Sequence, residues 1–341
     1  MCHSKNIKVL SLVTICFVFL CLLFQCRSNI NNDLPGSVDV VVDQSWMNAL
    51  GQDPRVISKQ ITLDTALYQI IGTAILGLRD KSNWDSGMVS FISDSNRIRT
   101  RDSAALAFKH FDWQQSLSAP LARYHSDFPQ KEIPKFFMLI TDFNYGIFNF
   151  QTVDGHDAIG IGTEMFMGKT ALYDQLSIAN PNFSNYLNRT FNTSHLPSKI
   201  MYAIADDAIA APATNRFLDN LLTQGKKIFL VKKWMPDLSD TILLEYTADQ
   251  LQWVEENELD IWRFLLADRL MYKVSGKDVA NLIQPSPHSQ GMPPDAPGRA
   301  VNYIGWKIID AYMRKSKSSD ADLAGNQDFD QILKVARYRP D

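Results

Sequence analysis

Carboxylates stand in pairs at two places in this chain, and each pair lies where a helix would present both members together. Asp206 and Asp207 are adjacent, and Glu255 and Glu258 are one helical turn apart, the step that puts two side chains on one face. Such a face can hold a hard cation, although a solvated helix surface is the plainer reading because charged side chains are mostly exposed. Two single residues make better pocket candidates. Glu164 follows a short apolar run, and Arg299 opens a helix behind a proline-rich loop, and loop ends collect binding residues. A structural ion pair or helix cap is the competing reading for both.

Other chemistries lose their usual signatures. The six histidines, His3, His110, His125, His156, His195 and His288, stand singly, with no His-Glu-x-x-His helix for zinc. There is no Gly-x-Ser-x-Gly elbow and no phosphate-binding loop. All four cysteines, Cys2, Cys16, Cys21 and Cys26, fall in the first 26 residues, so the body has no internal disulfide and no thiol chemistry. Trp253, Trp262 and Trp306 would form a carbohydrate platform if exposed; packing against Leu251, Ile261 and Ile308 is the better reading. Asn182, Asn188 and Asn192 each open a glycosylation-type tripeptide and read as a polar loop.

The elements that must position these residues are mostly helices. From Leu63 the positions Leu67, Ile70, Ile71, Ala74 and Leu78 mark an amphipathic face, and a second helix runs from Asp102 towards Trp113, with Pro120 resetting the chain before Leu121. Two apolar runs, 135–141 and 157–162, read as strands of a small sheet. Helices follow at 197–211, 214–225 and 247–272, the last opened by a capping box of Thr247 and Gln250. Residues 226–234 suit a strand or a continuing helix, and helix is the preferred reading. Five prolines between Pro285 and Pro297 exclude regular structure there. Val301, Ile304, Ile308, Ile309 and Tyr312 mark a closing helix, and 329–336 a last short one.

The N-terminus reads as an export signal: Lys5 and Lys8, an apolar run from Val9 to Phe24, then Gln25-Cys26-Arg27. That divides the chain into a signal at 1–26 ending on a lipid-bearing Cys26, a polar tether at 27–37 and one globular domain at 38–341. An ordinary signal peptidase site and a retained signal anchor are the alternatives. A formal charge of -3 with no basic stripe points away from nucleic acid as a partner.

Several stretches together resemble the gliding-motility-associated lipoprotein GldB family of the Bacteroidetes. They are Ile159-Gly160-Ile161 leading to Phe166-Met167-Gly168 and Tyr173; Leu221-Leu222 with Gly225-Lys226; Tyr246 to Leu251 with Trp253; Asn257-Glu258 with Ile261-Trp262; Pro297-Gly298-Arg299 with Ile304-Gly305-Trp306; and Ile332-Leu333 with Tyr338-Arg339-Pro340. Gln25 departs from the lipoprotein box, and Glu164 stands where the family's motif would have Asp. The resemblance implies a membrane lipoprotein facing the periplasm, needed for surface gliding and linked to type IX secretion. A small sheet followed by helices also resembles zincin peptidases, but the helix that would carry their histidines reads Tyr202-Ala203-Ile204-Ala205-Asp206-Asp207, with none. The expectation is an α+β, mainly helical fold, zincin-like without metal ligands. It would carry no cofactor beyond the lipid on Cys26 and would act on gliding or secretion machinery through a cleft bordered by Glu164, Glu255, Glu258 and Arg299. Its rivals are a metal-dependent, peptidase-like hydrolase and a surface glycan-binding lipoprotein.

Overall fold

The run Lys135–Leu139 is apolar at every position after the first, a pattern that suits a strand covered on both faces. In a computed structural model, which describes residues 36–53, 69–78, 84–274, 276 and 280–340, this run is β2, near the middle of a four-stranded sheet. The expected signal, Cys26, most of the tether and the first half of the helix from Leu63 lie outside the described residues. The sheet order is β1-β2-β4-β3, from β1 (Val42–Asp43), β3 (Ile147–Gln151) and β4 (Asp157–Gly162). β1 and β4 run parallel to β2, and β3 is an antiparallel edge.

Alternate residues of the sheet feed two cores, as the pleat requires. Phe136, Met138, Ile159 and Ile161 join the large core built with the helices, whereas Phe137, Leu139 and Ala158 form a smaller one with Trp46, Ile71 and Met88. Gly160 belongs to the second face. A Cβ there would sit 2.2 Å from the ring of Phe148, its antiparallel partner, so the glycine lets that ring lie across the strand.

Among the described residues the α-helices of five or more residues are α1 (Ser45–Ala49), α2 (Trp84–Ser93), α3 (Ser95–Phe108), α4 (Trp113–Asp127), α5 (Ala171–Ala179), α6 (Leu196–Ala208), α7 (Phe217–Trp234), α8 (Ala248–Glu256), α9 (Glu258–Leu266), α10 (Ala300–Lys315), α11 (Asp320–Gly325) and α12 (Phe329–Ala336). The mainly helical α+β class is as expected. Among the described residues no helix is long and apolar enough to cross a membrane. α7 runs through 226–234 as a helix, and α8 opens on the expected capping box, with Thr247 Oγ1 accepting from Gln250 N at 3.2 Å and Gln250 Oε1 from Thr247 N at 3.1 Å.

Several boundaries differ from the sequence reading. The helix expected at 102–113 is α3, which starts at Ser95 on an Asp94 cap and ends at Phe108. Pro120 does not break the chain: it is buried inside α4, where a lost backbone bond costs ~3 kcal/mol, offset by burial of Leu117, Leu121 and Tyr124. The helix expected over 247–272 is α8, α9 and a 3-10 turn, parted at Asn257. β1 and β3 were not foreseen.

The heart of the helical layer is the crossing of α7 and α10. A Cβ on Gly225 would meet Gly305 O at 2.3 Å, and one on Gly305 would meet Leu221 O at 2.6 Å, so the two backbones touch where neither residue has a side chain. This contact fixes α10, and hence Arg299 just before it, against α7.

Candidate functional site

α6 buries Leu196, Ile200, Met201, Ile204 and Ala205 against the core, and Lys199 and Tyr202 stand on its flank beside a cavity of about 180 Å³. Across that cavity lie Glu245, between a helical turn at Asp240–Leu243 and α8, and Arg299, the residue before α10. Both have left-handed backbones, φ 54° for Glu245 and φ 63° for Arg299. A side chain other than glycine held in that region costs of order 1–3 kcal/mol and persists only where its surroundings enforce it.

Here the enforcement is ionic. Glu245 accepts from Arg299 Nη2 at 3.0 Å through Oε2 and from Lys199 Nζ through Oε1, and the three side chains are 18 %, 22 % and 22 % exposed respectively. Burial pushes the Glu245 carboxyl up, but Lys199 and Arg299 outweigh it and hold it at about 2. Burial pulls Arg299 down, and Glu245 more than restores it. A third cation, Arg189, stands behind them. Its guanidinium donates to Tyr186 O at 3.1 Å, Gln250 Oε1 at 2.9 Å and Glu245 O at 2.6 Å, which ties it to the capping box of α8. Burial and then Arg299 lower its affinity for its proton. His195, at the start of α6, is lowered by burial and by Lys199 and so stays neutral.

The four residues expected to border one cleft lie in three places. Arg299 belongs to the cavity just described. Glu255 and Glu258 line a separate, open groove with Lys307, Arg314 and Tyr338, where Glu258 Oε1 accepts the Tyr338 hydroxyl. Glu164 lines neither. It is fully buried in the turn after β4, where Oε1 accepts from Thr141 N at 2.6 Å, Thr141 Oγ1 at 2.7 Å and Phe143 N at 3.0 Å. Those bonds hold the β2–β3 connection, in which Asp142 and Phe143 are both left-handed, at φ 53° and φ 62°. Arg97 grips the same turn, meeting Asp142 Oδ1 at 2.8 Å and Oδ2 at 2.6 Å. Burial raises the Glu164 carboxyl above the usual carboxylate range, against the lowering effect of the bonds from Thr141 and Phe143.

The remaining candidates resolve simply. Asp206 and Asp207 are exposed, paired with Lys227 and, at 2.9 Å, with Lys131. The three tryptophans are partly buried against the core, and Trp262 stacks edge-on to Tyr338 with ring centres 5.1 Å apart. Among the described residues no three His, Cys, Asp or Glu side chains are grouped to hold a metal ion. α6 is not the first helix after the sheet, since α5 and a helical turn at Asn185–Asn188 intervene. Glu245, Lys199 and Arg189 were missed in the sequence. Glu245 had one signal, a lone carboxylate set among Leu243, Leu244 and Tyr246 just ahead of a cap, and such an acid must find a cation once it is buried.

No curated protein and no solved structure matches the chain. The lipoprotein family described as gliding motility protein GldB matches residues 43–340, from β1 to the end of the described fold, and the chain belongs to that family.

Proposed function

We propose that this chain is an envelope-anchored component of the gliding apparatus that works by binding and assembly rather than by catalysis. It would be held to a membrane by lipid on Cys26, face the periplasm and support type IX secretion. The family supports the role in gliding motility. The observation that favours binding is the state of Glu245. A general base needs a proton affinity near the working pH, and a carboxyl held at about 2 between two cations is a fixed charge instead. The exposed carboxylates of Asp206 and Asp207 are committed to lysines, which weighs against the hydrolase, and the part-buried tryptophans weigh against the glycan platform.

The test is a deletion strain scored for surface spreading and for secreted cargo, complemented with the wild type or with Cys26→Ser. Loss of both, restored by the wild type and not by Cys26→Ser at equal protein level, is the expected result. Spreading and secretion unchanged by deletion would remove the proposal, and rescue by Cys26→Ser would remove the anchor.

A further inference from the structure

The cations around Glu245 outnumber the carboxylates that face them. Lys199 and Arg299 share Glu245, while Arg189 is held by two carbonyls and an amide oxygen, so the group carries a formal excess of two positive charges. Arg299 and Tyr246 form the wall between the cavity and a smaller recess that Arg189 lines, and Glu245 is the only acidic residue on either among the described residues. Both acceptors described for Arg299, Glu245 Oε2 and Leu244 O, meet Nη2, which leaves its other nitrogens for an incoming oxyanion.

A second feature of the cavity points to what accompanies that anion. Asn302 is 7 % exposed and donates Nδ2 to Ile283 O at 3.1 Å, which fixes the amide's orientation. Its Oδ1 is buried with no hydrogen-bond partner among the described residues, an unmet acceptor that an incoming donor would satisfy. Asn302 lines the same cavity as Arg299 and Lys199. An occupant that satisfies all of them bears both an oxyanion and an N–H. The terminal residue of a peptide has both, in its carboxylate and its own amide. A volume of about 180 Å³ slightly exceeds the roughly 150 Å³ that admits a benzene ring, enough for one small residue.

We propose that this cavity binds the C-terminal residue of a peptide chain, its carboxylate on Arg299 in the field of Lys199 and Arg189 and its amide N–H on Asn302 Oδ1. The inference goes beyond the assembly reading, and its test needs no gliding cell, so the two fail separately.

The test is titration calorimetry on the full-length protein in detergent with three probes: N-acetyl-Ala-Ala, the same peptide as its C-terminal amide, and inorganic phosphate. The free acid is expected to bind, and the amide at least about tenfold more weakly, the scale set by loss of a charged hydrogen bond. Arg189→Gln should weaken the acid by about tenfold, and Asn302→Ala should weaken the acid while leaving phosphate unchanged. No heat from the acid at millimolar concentration, or equal binding of acid and amide, would overturn the proposal. Phosphate binding as tightly as the acid, with no effect of Asn302→Ala, would overturn the peptide assignment in favour of a general oxyanion site. The comparison of acid with amide is made on the wild type, so a variant that fails to fold leaves the outcome decided.

Discussion

At the scale of single residues, Glu164 and Glu245 show how one side-chain type is shifted in opposite directions within one fold. Glu164 is fully buried with hydrogen-bond donors but no cation described beside it, and burial raises it above the usual carboxylate range. Glu245 has two cations and stays ionised. Glu164→Gln keeps the Oε1 acceptor for Thr141 and Phe143, so chemical denaturation should find it within about 1 kcal/mol of the wild type. Glu164→Ala strips three bonds from a turn with two left-handed residues and should cost about 2–4 kcal/mol, with equal losses in the two variants telling against this role. Of the two, Glu164 was singled out in the sequence and Glu245 was missed. The sequence marks Glu164 as an acid behind a strand, but whether such an acid faces a pocket or staples its own turn depends on backbone angles at Asp142 and Phe143 that neither residue type announces. Arg189 is hidden further, inside a tripeptide that reads as a polar loop.

At the scale of elements, the strongly periodic segments were the readable ones. The capping box at Thr247 and the last short helix at 329–336 follow from local pattern, and the helix through Lys226 was the preferred of two readings there. β3 does not, because Ile147-Phe148-Asn149-Phe150-Gln151 alternates only in part, and its order comes from pairing with β4. Pro120 misled for a related reason, since the packing of α4 overrides a local preference. The α7–α10 crossing is the most exacting element contact. Gly225→Ala would drive a Cβ into the backbone of Gly305, where no rotamer can yield, and should cost more than about 2 kcal/mol in a thermal or urea unfolding measurement. A variant as stable as the wild type would mean that the two helices part freely.

At the scale of the whole molecule, two buried charges shape how stability depends on pH. The folded Glu245 titrates at about 2 against a usual 4.5, so its contribution is complete above about 4.5 and is lost as pH falls from there towards 2. Glu245→Gln should cost about 3–5 kcal/mol at neutral pH, by leaving Lys199 and Arg299 without their carboxylate, and should flatten that acid limb. Lys226 acts on the other side. It is fully buried, its ammonium 4.8 Å from the centre of the Phe329 ring and bonded to Asn326 O, and burial lowers it to about 8 from 10.5. The charged form is penalised in the folded state, so stability should rise as pH climbs from about 8 to 10.5, and Lys226→Met should be more stable at neutral pH by up to about 3 kcal/mol. A flat urea midpoint over that range in the wild type would refute it. The place of β1 bears on the order in which the chain folds. That strand is two residues long and pairs in parallel with β2, from which α1 to α4 separate it along the chain, so its closure carries a large loop entropy and gains few bonds. It should therefore dock late and open early, and the Phe136 amide, which donates to Val41 O at 3.0 Å, should exchange with solvent deuterium well before the amides that β2 and β4 share.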